Sequence, residues 1–520
     1  MPWLDTYTGT WTRREAAHLL RRVSFGANST QLNTAVSDGL LATINKVFAS
    51  RPLPDPPVDQ TTGEVWVTGE HYDLKKGDNY YNQSTRAWIV GLMLEDSPSI
   101  REKLTLFWMN HFATESVIVS QAIFTYRLLS FLRENSLGNF KELVRQVTKE
   151  QAMLIYLNGN TNTKGNANEN YGRELQELFT IGKGPEAAAG DYTNYSEQDV
   201  KAAARVLTGW RVDRTTGQTV FQSRQHDTGD KQFSHCYQNT VIKGRADANA
   251  GETELEDLLT MILAQPATAT YIVGKLYRWF VNSDLNEDVV QHIITPLATE
   301  LSANWQVEPI LRKLLSCDHF YDNAMIGSQL RSPADLVIGS LRTFTTYTIP
   351  STSAFAERFR FLQMAVNAMA AQQMVLLDPP NVAGWQAYYQ TPGYYTEWFS
   401  SATLPLRNAY TDTLPTQMRI GTTRSYLLDT LEFIKTLQSP DSSLDMIKEI
   451  NELFFALPFA EATVMKLAED VLMDGGRYYE WSTVWNDYLT NPNAANKQKA
   501  RTSLDRLFVY LFRMAEFQLF

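Results

Sequence analysis

Cysteine is nearly absent from this 520-residue chain, which carries only Cys236 and Cys317. With no Cys-x-x-Cys pair and no Cys/His zinc spacing, a cysteine-built zinc module is excluded, and one disulfide at most can form in a chain too long to need a staple. Long apolar runs are missing too: nothing approaches the roughly 18 consecutive apolar residues of a membrane span. The start, Met1-Pro2-Trp3-Leu4-Asp5, has neither the basic nor the apolar region of a signal peptide. Arg13-Arg14 leads into an amphipathic helix rather than a twin-arginine leader. As given, the chain is expected to be cytoplasmic; a removed leader would instead make it periplasmic or secreted. Basic charge is in deficit, with 47 Lys and Arg against 57 Asp and Glu and a formal net charge of −10. The one arginine-rich stretch, Arg13, Arg14, Arg21 and Arg22 with Glu15 and His18 between, reads as helix-surface pairing. Nucleic acid is therefore not an expected partner. The G-x-S-x-G elbow, phosphate loop, G-x-G-x-x-G, H-E-x-x-H and paired Glu-x-x-His motifs are all absent.

What remains is ordinary globular composition, rich in aromatic residues (12 Trp, 24 Tyr, 25 Phe), which excludes a chain disordered throughout. The length favours more than one packed unit: a main helical core over residues 1–400, with an insertion at about 208–240, and a C-terminal helical subdomain over 401–520 packed on it.

Helical periodicity dominates. Thr12 with Glu15 forms a capping box ahead of Ala16, Leu19, Leu20 and Val23, and Gly26 stands where a C-terminal cap belongs. Further helices are expected over 30–48 with a break near Gly39, over 83–112 with a break near Asp96-Ser97-Pro98, and over 121–134, 140–156 and 171–180. Ser196 and Asp199 start another that ends at Thr208-Gly209. Residues 51–80, rich in Pro, Gly and Asp, are expected to form a surface loop. Trp210–Asp213 and Thr219–Gln222 around Arg214-Thr215-Thr216-Gly217 give the clearest strand signal, a β-hairpin. The remainder is again helical, in segments at 252–264, 267–282, 287–303, 307–316, 332–345 and 355–375, then about four helices from 423 onward. The expected fold is thus mainly α, a large multi-helix protein with a small β-hairpin insertion near 208–225.

The densest polar block is Asn166 to Leu178. On a helix, Asn170 and Glu174 share one face, and Glu169, Arg173 and Glu177 another. Carboxylate and amide oxygens on one face can ligate a hard cation or hold a polar substrate. The plainer account is a Glu169–Arg173–Glu177 ladder with Asn168 as cap. His111, among Phe107, Trp108 and Phe112, is either a satisfied core histidine or a group for proton transfer or metal ligation. Asp199 is accounted for by helix capping. His226-Asp227 after the hairpin could ligate a metal. Asp378-Pro379-Pro380-Asn381-Val382-Ala383-Gly384-Trp385 is a rigid turn, either a structural corner or a pocket wall.

These blocks resemble the DUF1800 family, a bacterial family of uncharacterised proteins. The resemblance rests on Ala17 to Arg22 with Ser24-Phe25-Gly26, Arg101 to Leu104, Phe107-Trp108, and His111-Phe112. It continues through Asn168 to Thr180, Tyr195 to Val200, Thr208-Gly209-Trp210, His226 to Gly229 and Asp378 to Trp385. Length and the C-terminal helices are most like members from the Bacteroidetes. The resemblance implies a possible partner, since relatives are often encoded beside a DUF1501 protein, a sulfatase/phosphatase-like relative. Relatives often carry histidine where Met109 stands, in a His-Asn-His pattern.

Two functional expectations follow. One is an enzyme with a polar pocket, in which His111, Glu169 and Glu174 are the catalytic candidates. Asn170, Arg173, Trp210, Asn381 and Trp385 would contact substrate, and His111, Glu169, Glu174, His226 and Asp227 would hold a divalent metal ion if one is bound. The other is a non-catalytic binding or scaffold protein that docks a DUF1501-like partner, with the same residues forming a buried structural network.

Overall fold

The computed structural model describes residues 3–95, 97–188, 191–213, 216–344, 346–416, 418–420 and 423–520. Helix accounts for 59% of the chain and strand for 5%, so the protein is mainly α. No described helix is long and apolar enough to cross a membrane, and no disulfide joins Cys236 to Cys317. One continuous apolar core runs from Ala16 to Phe517, drawing on helices from both ends of the chain. A smaller core of Trp66, Tyr81 and Ala122 lies beneath the 51–80 segment.

Local signals place the helices well. Helix Arg13–Ser24 has Thr12 and Glu15 as a reciprocal capping box. Its left-handed C-terminal residue is Phe25 (φ 64°), one position before the expected Gly26. Gly39 separates helices Ser29–Asp38 and Leu40–Val47. Helices Asp78–Glu95 and Arg101–His111 flank the expected break, of which Asp96 lies outside the described residues. The segment expected as one helix over 140–156 is two, Phe140–Val147 and Gln151–Tyr156.

The arginines of the first helix are not uniformly on the surface. Arg21 and Arg22 are buried. Arg21 donates to the carbonyls of Glu452 and Leu453 at 2.9 and 3.1 Å, and Arg22 donates to Gln329. Arg21 therefore ties the N-terminal helix to the C-terminal part of the chain, and Arg22 ties it to the segment around Gln329. A guanidinium tolerates burial when its donors meet carbonyls, which is why charge alone misplaced these two residues.

The hairpin forms as expected, Trp210–Asp213 antiparallel to Gln218–Phe221, with Trp210 opposite Phe221. Arg214 and Thr215 of its turn lie outside the described residues. It is docked by side chains: Arg127 donates to the Gly217 carbonyl at 2.8 Å, and Thr219 Oγ1 to the Lys149 carbonyl at 2.6 Å. Among the described residues three further two-stranded pairs occur, Glu186–Ala188 with Asp191–Tyr192, Lys231–Gln232 with Val241–Ile242, and Met418–Ile420 with Thr423–Ser425. Strands this short carry too little alternation to be read from sequence.

Candidate functional site

Asn168 starts the polar helix by accepting the Asn170 N–H on its side-chain oxygen at 3.0 Å. Helix Glu169–Glu174 then packs closely on helix Glu197–Val206. A Cβ at Gly172 would lie 3.0 Å from the Ala204 nitrogen and 3.1 Å from the Val200 carbonyl, so glycine permits that approach. At Leu175 the backbone widens into a π-helical turn, Leu175–Phe179, where an ordinary α-helix was expected. Such turns are rare and recur at functional sites.

Distant side chains stabilise this turn. Tyr271 donates its hydroxyl to the Leu178 carbonyl at 3.1 Å, and His111 Nε2 lies 3.0 Å from the Phe179 carbonyl. Gln176 donates to the Gly172 carbonyl at 2.8 Å and accepts from Tyr237 at 3.0 Å. A carbonyl only accepts, so His111 carries its proton on Nε2. Its Nδ1 has no partner among the described residues. Phe107, Trp108, Phe112, Phe140 and Phe179 surround the ring. Burial first, and then the nearby Lys275 ammonium, hold its pKa well below the usual imidazole value. His111 is thus a neutral, enclosed side chain that caps the turn.

The carboxylates of this helix have diverged. Glu169, near the helix start, lies 3.7 Å from Arg173. Arg173 is held instead by Glu197, in a bidentate pair at 2.5 and 2.8 Å. Glu177 accepts the Tyr195 hydroxyl at 2.6 Å rather than completing the expected ladder. Asn170 is exposed. Glu174 alone has no hydrogen-bond or ion-pair partner among the described residues. It is partly buried, and desolvation followed by repulsion from Glu177 pushes its carboxyl up to about 7, against the pull of Arg173. Tyr156, which donates to Glu115 at 2.9 Å, and Tyr271 are both within electrostatic reach of Glu174. The resulting site is a patch of Glu174, Glu177, Tyr156 and Tyr271, with the buried Tyr195 beneath it, where the helix passes into the widened turn. The sequence named Glu174. The partnership of Glu177 with Tyr195 and the approach of Tyr156 carry no local signal, although the i, i+3 spacing of Glu174 and Glu177 hints at a carboxyl pair.

The other candidates lie among different neighbours. His226 is fully buried, with Nδ1 2.9 Å from the Thr208 carbonyl and Nε2 3.0 Å from Glu254 Oε1, off the axis of a ring hydrogen bond. Lys231 meets the second Glu254 oxygen at 2.5 Å. Thr208, His226 and Glu254 form a hydroxyl–imidazole–carboxylate sequence, but all three are inaccessible and Thr208 already donates to the Arg205 carbonyl at 2.8 Å. No substrate can reach that hydroxyl, so the arrangement is structural. Asp227 takes a bidentate pair from Arg205 at 2.7 and 3.1 Å. No group of three or more His, Cys, Asp or Glu side chains arranged to hold a metal ion occurs among the described residues.

Trp210 is buried at the start of the hairpin. Asn381 and Trp385 belong to the corner at 378–385. There Asn381 donates to the Tyr389 hydroxyl at 2.8 Å, and the Trp385 backbone N–H donates to Asn110 Oδ1 at 2.9 Å. Asp378 anchors the corner by accepting from Arg86, and from Ser116 at 2.9 Å.

A family profile described as "Protein of unknown function (DUF1800)" matches residues 18–519. The chain belongs to the DUF1800 family. The blocks that the match spans include the π-turn, the His111 cap and the Asp378 corner. No curated protein and no solved structure matches this DUF1800 chain.

Proposed function

We propose that this DUF1800 protein is an enzyme that uses Glu174 as a general acid–base, with Glu177 and Tyr195 setting its environment. The observation that carries the reading is an unpartnered, partly buried carboxyl held at about 7 beside a second carboxyl. A proton donor or acceptor is most effective when its pKa lies near the working pH, and opposed environments in a carboxyl pair assign the two roles. Glu177 is fixed by the Tyr195 hydroxyl, and Glu174 is the one that exchanges a proton. Arg173 is committed to Glu197 and does not serve an incoming anion. With Glu115, Glu169, Glu177 and Glu197 nearby, the local field favours a neutral or cationic polar substrate.

The test joins chemistry to activity. A water-soluble carbodiimide attacks protonated carboxyls, so at neutral pH it should label Glu174 ahead of other glutamates. Turnover should then be sought in a panel of neutral glycosides, esters, amides and carbon acids. Glu174→Gln should lose about a hundredfold or more of any activity found. Absence of labelling at Glu174, or full activity in the variant, overturns the reading.

A second reading, a binding or scaffold protein for a DUF1501-like partner, draws support from the enclosure of both His111 and His226. It predicts that Glu174→Gln weakens partner capture instead of turnover.

A further inference from the structure

The proline-rich start of the 51–80 segment is strapped to a helix. Trp88 donates its indole N–H to the Asp55 carbonyl at 2.7 Å, and Ser84 Oγ donates to the Val58 carbonyl at 2.6 Å. Both donors belong to helix Asp78–Glu95. Between the strap, this helix and helix Phe355–Ala371 lies a cavity of about 290 Å³. Pro54, Pro56, Pro57, Trp88, Phe355 and Phe359 supply most of its wall. It shares no residue with the Glu174 patch.

The wall is rigid by construction. Proline rings fix φ along the strap. Just beyond it, Asp59 accepts from Lys76, Thr61 and Tyr80 at 2.6, 2.7 and 2.8 Å. Gly63 has a φ of +75°, and a Cβ there would lie 2.7 Å from the Phe355 ring, so only glycine lets the loop close on that ring. Trp88, Phe355 and Phe359 are nevertheless only half-buried. A pre-formed concavity that leaves three aromatic side chains partly open to water gains by covering them with a ligand.

The same residues select the ligand. The strap prolines have no N–H, and the Trp88 and Ser84 donors are already spent on strap carbonyls. One acid and one base, Asp55 and Arg358, stand at the wall, so it carries no net charge. Arg358 gives Nη1 to the Pro350 carbonyl at 2.9 Å. A charged molecule entering this space would lose its hydration without a dedicated counter-ion. The Gln60 amide, also at the wall, has no hydrogen-bond partner among the described residues and can meet one polar group.

We propose that this cavity binds a small, uncharged aromatic molecule, with its rings against the proline and aromatic walls and its polar group on the Gln60 amide. A water occupies about 30 Å³ of liquid, so the space corresponds to about ten waters and takes roughly one or two fused rings. Ring-on-ring contacts gain more than the area they bury, which favours an aromatic over a saturated ligand.

The full chain is titrated with 2-naphthol at neutral pH by calorimetry, beside two controls, the saturated decahydro-2-naphthol and the charged 2-naphthoate. Binding of 2-naphthol is expected with a dissociation constant of about 0.1 mM or tighter, and of each control at least about tenfold more weakly. Irradiation with benzophenone, itself an uncharged aromatic that inserts into neighbouring C–H bonds, should label peptides carrying residues 54–63, 84–92 or 355–362. Excess 2-naphthol should suppress that label. Leu92→Trp, which sets an indole into the cavity wall, should weaken binding about tenfold, and Gln60→Leu about fivefold. No binding of 2-naphthol below about 1 mM, equal binding of either control, or benzophenone label elsewhere in the chain overturns the proposal. Label at those peptides that fades as protein concentration rises would assign the face to a second copy of this chain and equally overturns it. The wild-type map needs no variant, so the result stands even if Leu92→Trp folds poorly.

Discussion

Glu174→Gln should make the protein more stable at alkaline pH. In the folded chain the Glu174 carboxyl is held at about 7, whereas in the unfolded chain it returns to about 4.5. Between those values the folded protein retains a proton that the unfolded one has released, so stability falls as pH rises through that window. Full expression of the difference is about 3 kcal/mol, which partial solvent access at the site trims to about 1–3 kcal/mol. Glutamine keeps the volume and the amphipathic tip but removes the charge. Urea unfolding of both proteins at about pH 5 and about pH 8 reads the effect, with the variant gaining about 2 kcal/mol on wild type between the two. An equal loss of stability at both values would mean that Glu174 is an ordinary structural residue, and the reasoning behind the proposed acid–base role would fail.

Three further outcomes follow from the geometry. Glu254→Gln leaves the Lys231 ammonium buried without its carboxylate and should cost about 3–5 kcal/mol in denaturant unfolding; a loss below about 1 kcal/mol would show that the network is not closed. Gly384→Ala places a Cβ 2.2 Å from Asn110 Oδ1 at a backbone φ of +91°, and should lower stability by about 2 kcal/mol or more; an unchanged melting temperature would contradict the close approach. His18 and His111 are both held well below the ordinary imidazole range, by burial before any other cause. Their contribution is complete above about pH 6.5 and is lost as pH falls below it, each adding a slope of up to about 1.4 kcal/mol per pH unit. The Glu174→Gln background, which lacks the opposing carboxyl, isolates that slope; unfolding midpoints that stay flat from about pH 6.5 to about pH 5 would refute it.

Features decided by near neighbours were legible in the sequence. Thr12 with Glu15 and Ser196 with Asp199 form their capping boxes because every atom involved lies within four residues. The hairpin followed from alternation about a glycine-containing turn. The π-turn was not legible, because over five residues its pattern matches that of an α-helix and its support comes from Tyr271 and His111, far away in the chain. The burial of Arg22 escaped for the same reason: its acceptor is a glutamine more than 300 residues along. Of the candidate site, the residue type and position of Glu174 were visible. Its lack of a partner was not, since Arg173 stands within reach and turns to Glu197.

The widened turn also restrains how this stretch can evolve. One residue deleted between Leu175 and Phe179 would let the backbone relax to a regular helix. The residues beyond would keep roughly their place about the axis, but carbonyls that the wider turn leaves to outside partners would bond within the helix. The Leu178 and Phe179 carbonyls would turn away from the tyrosine and imidazole that meet them. The spacing from Asn168 to Gly182 is therefore constrained as tightly as the side chains it carries, and length changes in related chains should fall outside it.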